Sequence, residues 1–215
     1  MRISVFTTAV AFLAFAVMHS ITVSRAFKRR LAGIVGETFM RAYYRLAFTV
    51  FSAVITAVAA YIIYIQPDVT YWHPPLYISL PARIIQLCGV LLLVFAFHPF
   101  DPGYFSGIRQ ARDYIGTGKT GGDIEGMKGG VLVTSGVYGL VRHPMYLGGI
   151  LIFLFEPELT ENSLVLRLLA AAYFIWGGYI EERRFIEDFG DAYREYMKKV
   201  SKFNLIKGIM TKVRV

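Results

Sequence analysis

The chain alternates between long apolar runs and short segments that carry most of its charge. The first run, Ile3–Ser24, is interrupted by His19. The second covers Leu46–Ile65 and stops at Gln66-Pro67-Asp68; the third covers Ile84–Phe97 and ends before His98-Pro99. A fourth begins at Pro144 and reaches Phe155, and a fifth covers Ser163–Ile180. A membrane-spanning helix needs about 20 apolar residues. The fourth run is short of that, so it is tilted, partly interfacial, or extended at one end. The acidic loop Glu156–Asn162 is brief, which makes the fourth and fifth runs an antiparallel hairpin. Beyond them, Glu181–Lys199 reads as a cytoplasmic helix interrupted near Gly190. Its residues Phe185, Phe189, Tyr193, Tyr196 and Val200 fall three or four apart on one face, a packing or interfacial stripe. The predicted fold is all-α: a polytopic membrane protein of about five transmembrane helices with a C-terminal cytoplasmic helix.

The first run is not a signal peptide by this reading. A signal core has roughly 7–15 apolar residues and follows a basic segment. Here the run is longer, and its basic cluster comes after it, so it is a retained transmembrane helix.

Charge fixes an orientation. Twenty of the 23 Lys and Arg lie between the first and second runs, between the third and fourth, or after the fifth. The exceptions are Arg2, Arg83 and Arg167. Positive residues stay inside, so the N-terminus is expected outside, the C-terminus cytoplasmic, and the protein in the cytoplasmic membrane. The chain is 55% hydrophobic with a mean hydropathy of +0.49. That excludes an ordinary soluble domain and makes the lipid bilayer a partner. The net charge of +8 then marks loops facing anionic lipid, and no nucleic-acid partner is expected. The one cysteine, Cys88, permits no internal disulfide and reads as a small buried hydrophobe.

Residues 1–100 hold the first three helices, and 101–215 form a separate region with its own chemistry. The external segment from Gln66 to Pro81 carries Tyr71, Trp72 and Tyr77, as an interfacial aromatic belt does. Phe100–Gly130 is long and Gly-rich, which suggests a lid or a linker. Within it, Gly116–Gly122 echoes a phosphate loop but lacks the Walker spacing and the strand–loop–helix setting, so no nucleotide site follows.

The polar residues that remain converge on one membrane face. Pro144 suits the first turn of the fourth helix, where no backbone N–H is required. His143 then stands beside free backbone donors and the positive helix end, a position that suits a carboxylate or another electron-rich group. Gly148 and Gly149 leave the backbone open to close approach. Glu181 and Glu182 end the fifth helix at the same face. A carboxylate there accepts from two vicinal hydroxyls, as on a ribose, or balances a cationic cofactor. Metal is a competing reading of His143, Glu181 and Glu182, but the other histidines are scattered and no regular ligand spacing is present. Arg142 reads as a side chain snorkelling to headgroups.

Val131-Leu132-Val133-Thr134-Ser135-Gly136-Val137-Tyr138, the run Arg142-His143-Pro144-Met145-Tyr146, the Glu181-Glu182 pair and Phe189-Gly190-Asp191-Ala192-Tyr193-Arg194-Glu195-Tyr196 together resemble the isoprenylcysteine carboxyl methyltransferase family. This is part of a wider group of integral-membrane methyltransferases that includes phospholipid and small-thiol enzymes. The strong likeness covers Val131–Val200, about a third of the chain.

The resemblance implies S-adenosylmethionine as cofactor and a lipophilic or small-molecule methyl acceptor. It implies cofactor contacts from His143, Pro144, Met145 and Tyr146, from Tyr138, from the backbone of Gly130, Val131, Leu132 and Val133, and from Glu181. It also suggests Gln110, in Phe105-Ser106-Gly107-Ile108-Arg109-Gln110. A thiolate or carboxylate acceptor would require no general base. An amine or hydroxyl would, and Tyr146 or Glu182 would then contribute. Two departures bear on the acceptor. The prenylcysteine enzymes carry an arginine where this chain has Gly177, and Val200-Ser201-Lys202-Phe203-Asn204 replaces their VPxGxP-like ending. Both point away from a prenylcysteine, and His19-Ser20, Tyr43-Tyr44-Arg45-Leu46 and Phe105–Gln110 look more like the methanethiol S-methyltransferase branch. Phospholipid N-methylation, prenylcysteine O-methylation and a non-enzymatic membrane scaffold are the alternatives.

Overall fold

In the computed structural model, residues 3–119 and 131–213 are described. Among them the chain is helical with one two-residue-deep strand pairing. It is an integral membrane protein: four helices are long and apolar enough to cross a bilayer, and a fifth apolar helix is shorter. The contacts divide the chain into two units, Met1–Gln66 with Phe100–Val131, and Pro67–Pro99 with Leu132–Val215.

In the first unit, α1 (Ile3–Val23) and α3 (Glu37–Tyr64) are the long apolar helices, joined by α2 (Arg25–Val35). Ser24 caps α2 by accepting from the Phe27 N–H at 3.2 Å. The sequence reading began the second helix at Leu46, but α3 starts nine residues earlier. Hydropathy missed that extension because polar residues interleave it, while Met40 and Tyr44 still bury an i, i+4 stripe against Ala32. The stretch read as a lid or a linker contains α5 (Pro102–Ser106) and α6 (Ile108–Thr117). Asp101 caps α5, and Gly107 at φ 86° turns the chain between them. A Cβ at Gly107 would lie 2.2 Å from the Leu46 nitrogen, so the position tolerates glycine alone.

In the second unit, β1 (Thr70–Trp72) precedes α4 (Leu76–Phe97). That helix begins earlier than Ile84 because it accepts Pro81 in its second turn, at the loss of one backbone hydrogen bond. Cys88 is exposed on it beside exposed Leu87 and Leu91. The expectation of a buried thiol was therefore wrong: an apolar neighbourhood marks lipid contact here, not a protein core. A 3-10 turn at Gly136–Gly139 leads to α7 (Pro144–Leu154), then β2 (Leu159–Thr160) and α8 (Glu161–Phe189).

The 11 residues of α7 rise only about 17 Å, roughly half the hydrocarbon thickness. Its flanks make up the distance alongside α4. Before it, the Tyr138 hydroxyl donates to the Ala96 carbonyl at 3.2 Å, near one end of α4. After it, β2 pairs antiparallel with β1, just before the other end. The short helix is thus extended by non-helical chain. Gly89 and Gly148 let α4 and α7 approach until a Cβ on either would sit 2.7–2.8 Å from the other's carbonyl oxygen.

Thr160 and Ser163 form a reciprocal capping box at the start of α8. The fifth helix does not end at Ile180: α8 continues to Phe189, and Gly190 at φ 55° then turns it into α9 (Asp191–Lys199). A final helix, α10 (Leu205–Val213), follows. The aromatic stripe packs inward as expected, with Tyr193 and Tyr196 buried and the Phe185 and Tyr193 rings 5.2 Å apart.

Candidate functional site

The site is assembled where the C-terminal segment Val200–Asn204 lies along the residues that enter α7. Val141 bridges Ser201 in parallel register. The Arg142 N–H donates to the Ser201 carbonyl at 2.9 Å, and the His143 N–H to the Lys202 carbonyl at 3.3 Å. These bonds fix the backbone from which the key side chains leave.

Arg142 does not snorkel. Its side chain is 8% exposed, and its Nε and one terminal nitrogen donate to Glu182 Oε1 at 2.9 and 2.7 Å. The other terminal nitrogen donates to the carbonyls of Met197, at 3.1 Å, and Val200. One guanidinium therefore ties together the α7 entry, α8 and the end of α9. A planar five-donor fork satisfies such a set where an ammonium would not.

His143 is buried between the two glutamates. Its Nδ1 is 3.1 Å from Glu181 Oε2, and its Nε2 is 3.3 Å from Glu182 Oε1. Burial acts to lower its pKa, but hydrogen bonds and charge from both carboxylates outweigh burial and hold it above the ordinary histidine value. The imidazolium form donates to both. Lys202 completes the group, with Nζ 2.6 Å from Glu182 Oε2 and 3.3 Å from the centre of the Tyr179 ring. Both oxygens of Glu182 are therefore engaged by cations. Glu181 differs, with 37% of its side chain exposed.

Aromatic rings frame the cluster. Tyr146 stacks on His143 at 5.5 Å and 19°, Phe203 lies 5.9 Å from the same imidazole, and Phe174 backs Tyr146 at 6.2 Å. The glycines of α8 make room for them. A Cβ at Gly178 would stand 3.1 Å from Phe203 and 3.4 Å from Tyr146, and one at Gly177 would stand 3.6 Å from the Tyr146 hydroxyl. Tyr138 accepts at its carbonyl from the Tyr196 hydroxyl at 2.5 Å. Burial pushes the Tyr138, Tyr193 and Tyr196 phenols up, and of the three the Tyr138 and Tyr196 hydroxyls donate to carbonyls.

Of the residues expected from sequence, His143, Pro144, Tyr146, Glu181 and Glu182 come together here. Pro144 is the first residue of α7 and is buried. Met145 follows it in that turn, partly buried. Leu132 and Val133 lie in non-helical chain before the 3-10 turn, partly buried, while Val131 is exposed. Gln110 is fully buried on α6 in the first unit, where its Nε2 donates to the Tyr104 carbonyl at 2.9 Å. Gly130 lies outside the described residues. Arg142, Lys202 and Phe203 were not among the expected site residues. Arg142 sits beside His143 in the motif, but the partners of Lys202 and Phe203 lie 20 or more positions away, and no local pattern announces them. Among the described residues, no group of three or more His, Cys, Asp or Glu is arranged to hold a metal ion.

Charged donors and acceptors at a helix start, one carboxylate left partly open and an aromatic frame fit a polar cofactor that bears both charge and hydroxyls. Comparison with known proteins bears on the same region. The model of the NnrU protein family matches residues 7–202. A methanethiol S-methyltransferase of Pseudomonas deceptionensis is 32% identical over 189 residues, covering 86% of this chain and 67% of that protein. One from Mycobacterium tuberculosis is 29% identical over 196 residues, covering 87% and 72%. A protein-S-isoprenylcysteine O-methyltransferase of Schizosaccharomyces pombe is 37% identical over 73 residues, 33% of this chain and 31% of that one. The chain thus spans 67–72% of the length of the relatives that match over most of it. No solved structure gives a significant match.

Proposed function

The chain belongs to the NnrU family and is an integral-membrane methyltransferase; on that footing we propose that it uses S-adenosylmethionine to methylate a small thiol at the cytoplasmic face of the cytoplasmic membrane. The observation that carries this reading is the asymmetry of the glutamate pair. Glu182 is saturated by Arg142, His143 and Lys202, whereas Glu181 is held on one side by His143 and keeps an open edge.

Glu181 is the residue assigned to the cofactor's hydroxyls or positive charge. The first turn of α7 leaves the N–H groups of Met145 and Tyr146 without intrahelical acceptors, and these suit a carboxylate. His143, in its protonated form, adds charge of the same sign beside them. Tyr138 and Tyr146 supply aromatic surface. The sulfonium supplies a methyl group that is already activated, so the protein's contribution is positioning and exclusion of water. Glu182 serves as an anchor and not as a base, since accepting a proton would break three charge-assisted contacts. A thiolate acceptor needs no base, which agrees with that role.

Support for a thiol acceptor comes from α8 and from the relatives. No cationic residue lies between Arg167 and Arg183, and Gly177 stands where the prenylcysteine enzymes place an arginine, so this stretch offers a substrate carboxylate no cation. The methanethiol enzymes extend over most of this chain, the prenylcysteine enzyme over a third. The orientation rests on the loop charges.

The test is product analysis. Detergent-purified protein with methyl-labelled S-adenosylmethionine is offered methanethiol, a prenylcysteine analogue and a phospholipid extract in parallel. Label is expected in the thioether. Label in the prenyl ester or the phospholipid headgroup would overturn the acceptor assignment, and no label anywhere would overturn the reaction.

A further inference from the structure

Lys202 is a poor candidate for a passive surface lysine. Its side chain is 15% exposed, its ammonium lies over the Tyr179 ring, and its contact with Glu182 is 2.6 Å. It belongs to the segment that replaces the VPxGxP-like ending, so no motif of the resemblance assigns it. Its neighbour Phe203 packs on His143, and its own carbonyl accepts from the His143 N–H. The residue therefore reaches the imidazole by two routes, through backbone and through a shared carboxylate.

The shared carboxylate is the more consequential route. Glu182 has two oxygens and three cationic neighbours. Lys202 holds Oε2, while Arg142 donates twice to Oε1, the oxygen nearest His143. With its carboxylate pinned from both sides, Glu182 stays 3.3 Å from Nε2, while Glu181 stands at 3.1 Å from Nδ1. We propose that Lys202 is a positioning residue: by holding the far oxygen of Glu182 it fixes that carboxylate in place and offsets part of its charge on His143, so that the imidazole keeps its orientation between the two glutamates and Glu181 stands at the edge where the methyl donor binds. The last clause rests on the function proposed above; the positioning does not.

Several charged or titratable groups act on His143. Glu181 and Glu182 face it from α8, and Tyr146 stacks on it from α7. Arg142 beside it and Lys202 from the C-terminal segment act through Glu182. Tyr193 of α9 lies within the field of both glutamates and of Arg142. Lys202 is the member whose removal releases Glu182 without cutting the Arg142 tie. With the lysine charge gone, the negative charge beside the imidazole is less compensated, so His143 holds its proton to higher pH. An ammonium about two contacts away is expected to matter by roughly one pH unit.

The experiment reads His143 directly and needs no cofactor. Wild type, Lys202→Met and Lys202→Arg are prepared with isotope-labelled histidine in detergent. The imidazole resonance of His143, assigned by its loss in His143→Asn, is titrated from acid to alkaline pH. The midpoint is expected to rise by roughly one pH unit in Lys202→Met and to return to the wild-type value in Lys202→Arg. A Lys202→Met midpoint equal to that of wild type overturns the proposal, even if stability falls, because a purely structural lysine would leave the titration in place. Should Lys202→Met fail to unfold cooperatively, Lys202→Gln is read by the same criterion. S-adenosylhomocysteine binding by wild type is measured alongside. Its absence would overturn the methyl-donor reading while leaving the His143 midpoint to decide the role of Lys202.

Discussion

The second unit carries the same chemistry in two settings. Near β1 and β2, Arg83 meets Glu156 at 2.7 Å and His73 meets Glu158 at 3.1 Å. Beside the start of α7, Arg142 meets Glu182 at 2.7 Å and His143 meets Glu181 at 3.1 Å. The distances match, but the burial does not. Arg83 and His73 have 55% and 76% of their side chains exposed, against 8% and 2% for Arg142 and His143. An exposed pair contributes about 0–1 kcal/mol, whereas removing one partner of a buried pair costs about 3–5 kcal/mol. Identical contacts thus serve as a surface latch in one place and as a committed network in the other. Desolvated charge is retained where it has work to do.

The largest expected effect breaks the buried network. Arg142→Ala leaves Glu182 buried with one cation fewer and opens four hydrogen bonds to three residues. It should lower unfolding stability in detergent by about 3–5 kcal/mol, while Arg142→Lys recovers only part of it. A change below 1 kcal/mol would place Arg142 in the surface class with Arg83. Next comes the helix contact that supports the network from behind. Gly148→Ala puts a Cβ 2.7 Å from the Gly89 carbonyl oxygen and should cost about 1–3 kcal/mol, read by the same unfolding assay.

The pH dependence is smaller and has a definite sign. The folded-state pKa of His143 lies above its unfolded value. Its contribution to stability is therefore fully present below the unfolded value of about 6.5 and is lost as pH rises through the raised folded value. The stability difference between wild type and His143→Asn should shrink steadily from neutral to alkaline pH. A difference that grows with pH would mean that His143 is held neutral. The smallest effect is at the latch: Arg83→Ala should change stability by less than about 1 kcal/mol and leave cofactor binding intact.

Hydropathy made the membrane class and the five apolar runs legible, because a lipid-facing helix is marked by residue type and not by its partners. The motif around His143 and the glutamate pair were legible for a related reason: ionisable groups beside apolar runs stand out. What stayed hidden were elements whose amphipathic faces read as loop. They include α2, the first turns of α3, α5 and α6; the residues past Ile180 were read as helical, but as a helix separate from the fifth run and not as its continuation. The resemblance set Glu181 apart from Glu182 as the cofactor contact, but the physical basis of that difference was hidden. Adjacent and chemically alike, they point to different partners, and only the packing of Arg142 and Lys202 from distant segments separates them. Arg142 was misread for the same reason, since snorkelling is the default only when no buried carboxylate lies within reach.

The central claim is that Glu181, and not the saturated Glu182, faces the cofactor. The direct measurement is calorimetric titration of S-adenosylhomocysteine into folded wild type and folded Glu181→Gln. The account predicts binding by wild type and a loss of roughly tenfold or more in Glu181→Gln, the scale of a charge-assisted hydrogen bond. Equal affinity in the two proteins would contradict it.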